Sequence, residues 1–170
     1  LLKNQLEEAT EVKLKIGENH IQVQLPNTKI SSRIIKEKYP DYESVIPKNN
    51  NNVVTINRNE LTASVKRVSI FSNKSTRQIA LSLDKNKITV ATEDPENITT
   101  GKEEVTCEYT GEPMIIGYNA QYLNEVLKNQ TTEEIQLLLN TPLNAGIFLP
   151  TEQQPEEKKT TLLMPIRLND

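Results

Sequence analysis

The residues that could do chemistry in this chain are few and scattered. Glu103-Glu104 and Glu156-Glu157 are adjacent acidic pairs, and their polar surroundings mark them as solvated rather than catalytic. His20 is the single histidine. It falls at a predicted hairpin and is too little for a triad or a metal centre. Cys107 is the single cysteine, so no internal disulfide is possible. It alternates with Val105 and Tyr109, which reads as a buried small hydrophobe and not a nucleophile. Five glycines supply no phosphate-cradling loop. An enzyme such as a nuclease needs clustered Asp or Glu around a metal-sized pocket. The expectation is therefore no catalytic residue, no metal and no cofactor. What remains is binding chemistry. A helix predicted from about Arg58 to Ser72 carries Arg58, Lys66 and Arg67 against one acid, Glu60. That is a net positive helix in a chain of net charge -3 and pI about 5.4. It is a mild pointer to a surface facing DNA, set against the blander reading of a solvated face.

The elements that must hold these residues follow from periodicity. With 170 residues, the chain is long enough for one full domain and part of a second. Aromatics are 4% and tryptophan is absent, so Leu, Ile and Val must fill the core. No apolar run approaches the roughly 20 residues of a membrane helix. Leu1-Leu2-Lys3-Asn4 lacks an initiating Met and reads as a chain cut in mid-element. The Asn-x-Ser/Thr triplets at Asn73, Asn97 and Asn129 read as chance.

An order of strand, helix and three strands occurs twice across roughly 53–168. The first copy opens with Val53-Val54-Thr55-Ile56. Asn57 and Glu60 have capping-box spacing, and Leu61, Val65 and Val68 follow at helical spacing. Ile79, Leu81 and Leu83, then Ile88 and Val90, then Val105, Cys107 and Tyr109 alternate as strands. The second copy opens with Pro113 to Gly117. Asn119 caps a helix bearing Tyr122, Leu123, Val126 and Leu127. Ile135, Leu137 and Leu139, then Ile147 and Leu149, then Leu162, Met164, Ile166 and Leu168 alternate. Residues 1–52 look like a third copy without its opening strand: Leu1, Leu2 and Leu6 fit a helix tail, and three strands end at Lys29 to Ile35. Lys48 to Asn52 is a polar linker and the expected domain boundary. Glu152 to Lys159 is an expected exposed loop. Two such copies predict a pseudo-two-fold layout with both helices on one side of antiparallel sheets.

Four segments carry a family resemblance. Tyr39-Pro40-Asp41-Tyr42-Glu43-Ser44-Val45-Ile46-Pro47 resembles the [Phe/Tyr]-Pro-Asp-Tyr segment that closes the middle domain of bacterial sliding clamps, the DNA polymerase III beta subunit. Ile70-Phe71-Ser72-Asn73 is similar to the family's Leu-Ser-Asn stretch. Ile116-Gly117-Tyr118-Asn119 with Tyr122 and Leu123 resembles its Ile-Gly-Phe-Asn…Tyr-Leu segment. Leu163-Met164-Pro165-Ile166-Arg167-Leu168 resembles its C-terminal Met-Pro-[Met/Val/Ile]-Arg-Leu.

The resemblance implies an α+β clamp fold, with residues 1–52 as the second half of the middle domain plus linker and 53–170 as the third domain. It implies a cytoplasmic, non-catalytic processivity factor of DNA replication. Two full-length subunits would close a homodimeric ring around duplex DNA, without sequence preference. Polymerase, clamp loader and repair proteins would dock short linear peptides in a cleft. Carried over, that cleft comprises Pro40, Ser44, Val45, Thr76, Asn119, Tyr122, Leu143, Leu162, Leu163, Met164, Pro165, Ile166 and Arg167. Ser44 stands where the family often has Arg and Thr76 where it can have Phe, so the rim is less basic and less aromatic. Ile70 and Phe71 would lie at the ring interface. The competing reading is a β-rich adaptor that binds peptides independently of DNA.

Overall fold

The structure, a computed structural model, describes residues 11–168. It divides into two compact units, Leu1–Asp41 and Tyr42–Asp170. The helix tail expected over Leu1, Leu2 and Leu6 lies outside the described residues.

In the first unit, β1 (Lys13–Ile16), β2 (His20–Gln24) and β3 (Lys29–Arg33) form an antiparallel sheet in chain order. Gly17-Glu18-Asn19 makes the expected turn, closed by a bond from Gly17 N–H to His20 O at 2.9 Å. Leu14 pairs with Val23, and Val23 with Ile30, so apolar residues line one face. β3 stops at Arg33, short of the expected Ile35.

The second unit begins with a 3₁₀ turn at Tyr42–Val45. Its elements are β4 (Asn52–Asn57), α1 (Arg58–Ser69), β5 (Gln78–Asp84), β6 (Lys87–Asp94), β7 (Thr99–Glu108), β8 (Met114–Asn119), α2 (Ala120–Lys128), β9 (Glu134–Leu139), β10 (Gly146–Pro150) and β11 (Thr161–Leu163). The two predicted repeats are therefore present in order.

Each helix starts where its sequence supplies a cap. Asn57 Oδ1 accepts from Asn59 N–H at 2.9 Å and Glu60 N–H at 3.1 Å. Asn119 Oδ1 accepts from Gln121 N–H at 2.9 Å and Tyr122 N–H at 3.3 Å. Such caps contribute about 1 kcal/mol each. Leu61, Val65 and Val68 of α1 and Leu123, Val126 and Leu127 of α2 are buried. α1 ends earlier than Ser72 because three i→i−3 bonds tighten the chain after it, from Ile70, Phe71 and Ser72 N–H to Arg67, Val68 and Ser69 O.

Strand pairing interleaves the repeats. β4 pairs with β9 of the second repeat, and β8 pairs with β5 of the first. Among the described residues, the strands form one sheet in the order β11-β10-β9-β4-β7-β6-β5-β8. An antiparallel bridge between Gly117 and Ile166 joins the two ends of that order. α1 packs on β4, β5, β6 and β7, α2 packs on β8 and β11, and the helices pack on each other. Both therefore cover the same face of the sheet.

Three local expectations change. The run from Leu162 to Leu168 is not one strand. β11 stops at Leu163, which enters the core. Pro165 has no N–H to continue the ladder, and Ile166 N–H bonds instead to Gly117 O at 2.9 Å. On β10, Phe148 rather than Ile147 and Leu149 joins the core cluster. Its ring meets Tyr118 edge-on at 6.2 Å between centroids. Last, Asn50 in the polar run is buried. Its Nδ2 donates to Leu138 O at 2.8 Å and Ala145 O at 2.9 Å. A polar residue is buried here because it supplies donors to carbonyls at the end of the β9–β10 hairpin.

Two stability tests follow. In Gly117→Ala, the new Cβ would sit 2.7 Å from Ile166 O and from Leu168 Cδ2. Opening of the bridge, loss of Ile166 amide protection in hydrogen exchange and a stability decrease of about 1–3 kcal/mol are expected. Asn50→Ala removes two hydrogen bonds to carbonyls. Urea unfolding should show a loss of roughly 1–3 kcal/mol.

Candidate functional site

The second unit carries two chemically distinct sets of candidate residues. The first is apolar. On β4, Val54 and Ile56 point into the core, so Val53 points to the other face of the sheet. Register continues that row on the same face: Val53 pairs with Leu138, Leu138 with Ile147, and Ile147 with Leu162, with Ile147 buried within it. Sequence reasoning singled out only Leu162 of these four. The others were missed because cross-strand register is not visible in a single strand's alternation.

Beyond Leu162 the chain turns Leu163 inward and Met164 outward. Met164, Tyr122, Leu143 and Val45 are each 57–62% exposed. Pro165 and Ile166 are half-buried and Arg167 is exposed. The Gly117–Ile166 bridge brings this tail beside β8, which leads directly into the α2 start. There, Asn119 Nδ2 donates to Thr76 O at 3.1 Å, joining two of the expected residues directly. Leu143 sits in the β9–β10 turn, where its N–H bonds Thr141 Oγ1. Ser44 and Val45 lie in the exposed 3₁₀ turn. Pro40 is exposed and belongs to the first unit.

The second surface is the groove between α1 and α2, about 600 Å³ in volume. Its walls present Lys66, Lys74, Arg77 and Lys128, and the acid among them is Glu125. Lys66, Lys74 and Lys128 form no ion pair among the described residues. Of the three cations singled out on α1, only Lys66 borders the groove. Arg58 spends its guanidinium within the fold: Nη1 donates to Gln130 O at 2.7 Å, beyond the C-terminal end of α2, where a cation is favoured. Arg67 donates through Nε and Nη2 to Glu103, both at 2.7 Å. That fork raises the Arg67 pKa and lowers that of Glu103. Lys74, Arg77 and Lys128 lie outside the helix first singled out, and only the packing of the two helices brings them to one place.

Ile70 and Phe71 follow α1 and are exposed. The Phe71 ring lies over Gly101, where a Cβ would come within 2.9 Å of it. Thr99 Oγ1 donates to Phe71 O at 3.0 Å. Ile98, beside Thr99, is 91% exposed and was not singled out from the sequence.

No group of three or more potential metal ligands occurs among the described residues. Burial pushes the Cys107 thiol up to about 11, so it is not a thiolate at neutral pH. No helix among them is long and apolar enough to cross a membrane.

Comparison with known proteins agrees with this architecture. A beta sliding clamp of Synechococcus elongatus is 34% identical over 141 residues, covering 82% of this chain and 36% of the clamp. One from Pseudomonas putida is 29% identical over 157 residues, covering 92% of this chain and 42% of the clamp. The chain thus spans less than half the length of these relatives. Among solved structures, the Pseudomonas aeruginosa sliding clamp bound to griselimycin superposes with a TM-score of 0.82 at 28% identity, covering 98% of this chain and 44% of that one. Residues 43–167 match the family described as DNA polymerase III beta subunit, C-terminal domain. This chain therefore belongs to the DNA polymerase III beta subunit family, the bacterial sliding clamps.

Proposed function

We propose that this chain forms part of a ring that encircles duplex DNA, with the α1–α2 groove turned toward the duplex and the apolar patch receiving partner peptides. In this reading residues 1–52 complete a middle domain and 53–170 are the third domain of a homodimeric clamp. The chain itself performs no chemistry. It holds polymerase, clamp loader and repair proteins at the template.

The observation that carries the reading is the charge of the groove. A chain of net charge -3 gathers four cations and one acid there. Three of those cations form no ion pair among the described residues. Unpaired lysines beside a groove suit a phosphate backbone, which is read by charge and not by sequence. The apolar patch suits a peptide. Met164 and Leu162 offer adaptable apolar surface, Tyr122 a ring with a hydroxyl, and Arg167 donors for carbonyls or a carboxylate. Thr76 and Ser44 make its rim smaller and less basic. Ile70 and Phe71, with Ile98 beside them, form an exposed apolar edge suited to the subunit interface.

Two measurements test the two surfaces. In the complete ring, Lys66→Glu with Lys128→Glu should weaken association with duplex DNA at low salt by about tenfold or more. It should also flatten the salt dependence by about two counterion equivalents. Arg67→Ala should do far less, because Glu103 already neutralises Arg67. Equal loss in both variants would place the DNA elsewhere. Griselimycin, bound by the related Pseudomonas aeruginosa clamp, is proposed to occupy this patch; Met164→Asp should then abolish its binding followed by calorimetry, and wild-type affinity in that variant would remove Met164 from the patch.

A further inference from the structure

We propose that Asn73 is a positioning residue for the peptide patch, holding Thr76, Asn119 and Tyr122 in register against the tip of the β6–β7 hairpin. This rests on the patch reading given above.

Asn73 uses both ends of its side chain. Oδ1 accepts from Ser75 N–H at 2.9 Å and Thr76 N–H at 3.2 Å. Its main-chain carbonyl accepts from Arg77 N–H at 2.8 Å. Nδ2 reaches the hairpin tip, 3.2 Å from Glu96 Oε2 and 3.4 Å from Asp94 Oδ1.

The anchor it grips is fixed. Asp94 is 2% exposed. It accepts from Asn97 Nδ2 at 2.7 Å and Glu96 N–H at 3.2 Å. These bonds, Asn97's foremost and Asn73's among them, hold the Asp94 carboxyl below its ordinary range. The far side of the turn grips α2. Thr76 O accepts from Asn119 Nδ2 at 3.1 Å, and Arg77 O accepts from Ala120 N–H at 2.8 Å. Asn119 in turn caps Gln121 and Tyr122. The Arg77 guanidinium also donates to Gln121 Oε1.

The turn from Asn73 to Arg77 is thus a short strut with the hairpin at one end and the start of α2 at the other. Strain marks both ends. Arg77 has φ 49° and Ile98 at the hairpin tip has φ 53°. Such left-handed residues persist where surrounding bonds over-determine them, and they cluster at functional surfaces. Loss of the Asn73 amide would free the turn to relax, and the Asn119 cap and the Tyr122 ring would move with it.

The test is a donor–acceptor exchange with griselimycin as probe. Asn73→Ala should raise its Kd about tenfold. Asn73→Asp keeps an acceptor for Ser75 and Thr76 but sets a carboxylate against Asp94 and Glu96, and should raise Kd at least as much. Asn73→Asp with Asp94→Asn restores a donor facing an acceptor at the part-buried contact and leaves only the solvent-exposed Glu96 carboxylate opposite. It should return Kd to within about threefold of wild type and return the Tyr122 amide resonance to its wild-type position. Should Asn73→Ala fail to fold, the Asp variant and its exchange partner decide alone. Wild-type affinity in Asn73→Ala, or a double variant no tighter than Asn73→Asp, would overturn the proposal. Were wild type itself not to bind the probe, the patch reading would fail. The Tyr122 amide would then decide positioning by moving in the single variants and returning in the double, or by staying put.

Discussion

Each helix of the second unit opens by donating its first amide to the other repeat. Arg58 N–H bonds Glu133 O, just before β9, and Ala120 N–H bonds Arg77 O, just before β5, both at 2.8 Å. A helix start exposes amides that its own turns cannot satisfy. Here each repeat supplies the missing acceptor for its counterpart, so neither completes its helix alone. The exchange fixes the two helices side by side on one face, with the start of α1 against the end of α2. Arg58 then reaches across to donate to Gln130 O, so its guanidinium serves the packing of the two repeats.

From that constraint the two surfaces follow. Helices packed side by side leave a groove between them, and the polar side chains that cannot enter the core line it. The sheet's opposite face receives alternate residues of β4, β9, β10 and β11, and these include the apolar row ending at Leu162. The groove thus gathers cations on the helix side, while the sheet's other face carries the apolar row together with charged positions such as Lys87 and Glu104. In the proposed ring, duplex and partner peptide use different surfaces of the unit, and neither has to leave for the other to bind. The strut at Asn73 ties the hairpin tip near Phe71 to the start of α2, so three surfaces share one rigid frame.

Much of the frame was legible from spacing alone. Alternation placed Ile79, Leu81, Leu83, Ile88, Val90, Ile135, Leu137 and Leu139 in the core, and both Asn caps were visible as residue types at helix starts. The errors have a common origin in partners distant in sequence. Phe148 joins the central cluster, where it meets Tyr118 of another strand edge-on, while Ile147 is buried on the other face of the strand. Asn50 looked like free linker because its acceptors, Leu138 O and Ala145 O, lie far along the chain. The Arg67–Glu103 ion pair was not legible because Glu103 is on β7. Lys128 looked incidental until α2 lay beside α1. The family segments named the residues around Met164 and Tyr122. Their exposure, and the bridge that brings the C-terminal tail beside β8, come from the fold.

In the proposed ring the α1–α2 groove faces the duplex and the Met164 patch does not. Photocrosslinking from the complete ring loaded on duplex DNA tests this directly, with a benzophenone side chain at position 124 in the groove or at position 164 in the patch. Crosslinks to DNA are expected from position 124 and none from position 164. Crosslinks from 164 with none from 124 would mean that the patch, and not the groove, meets the DNA.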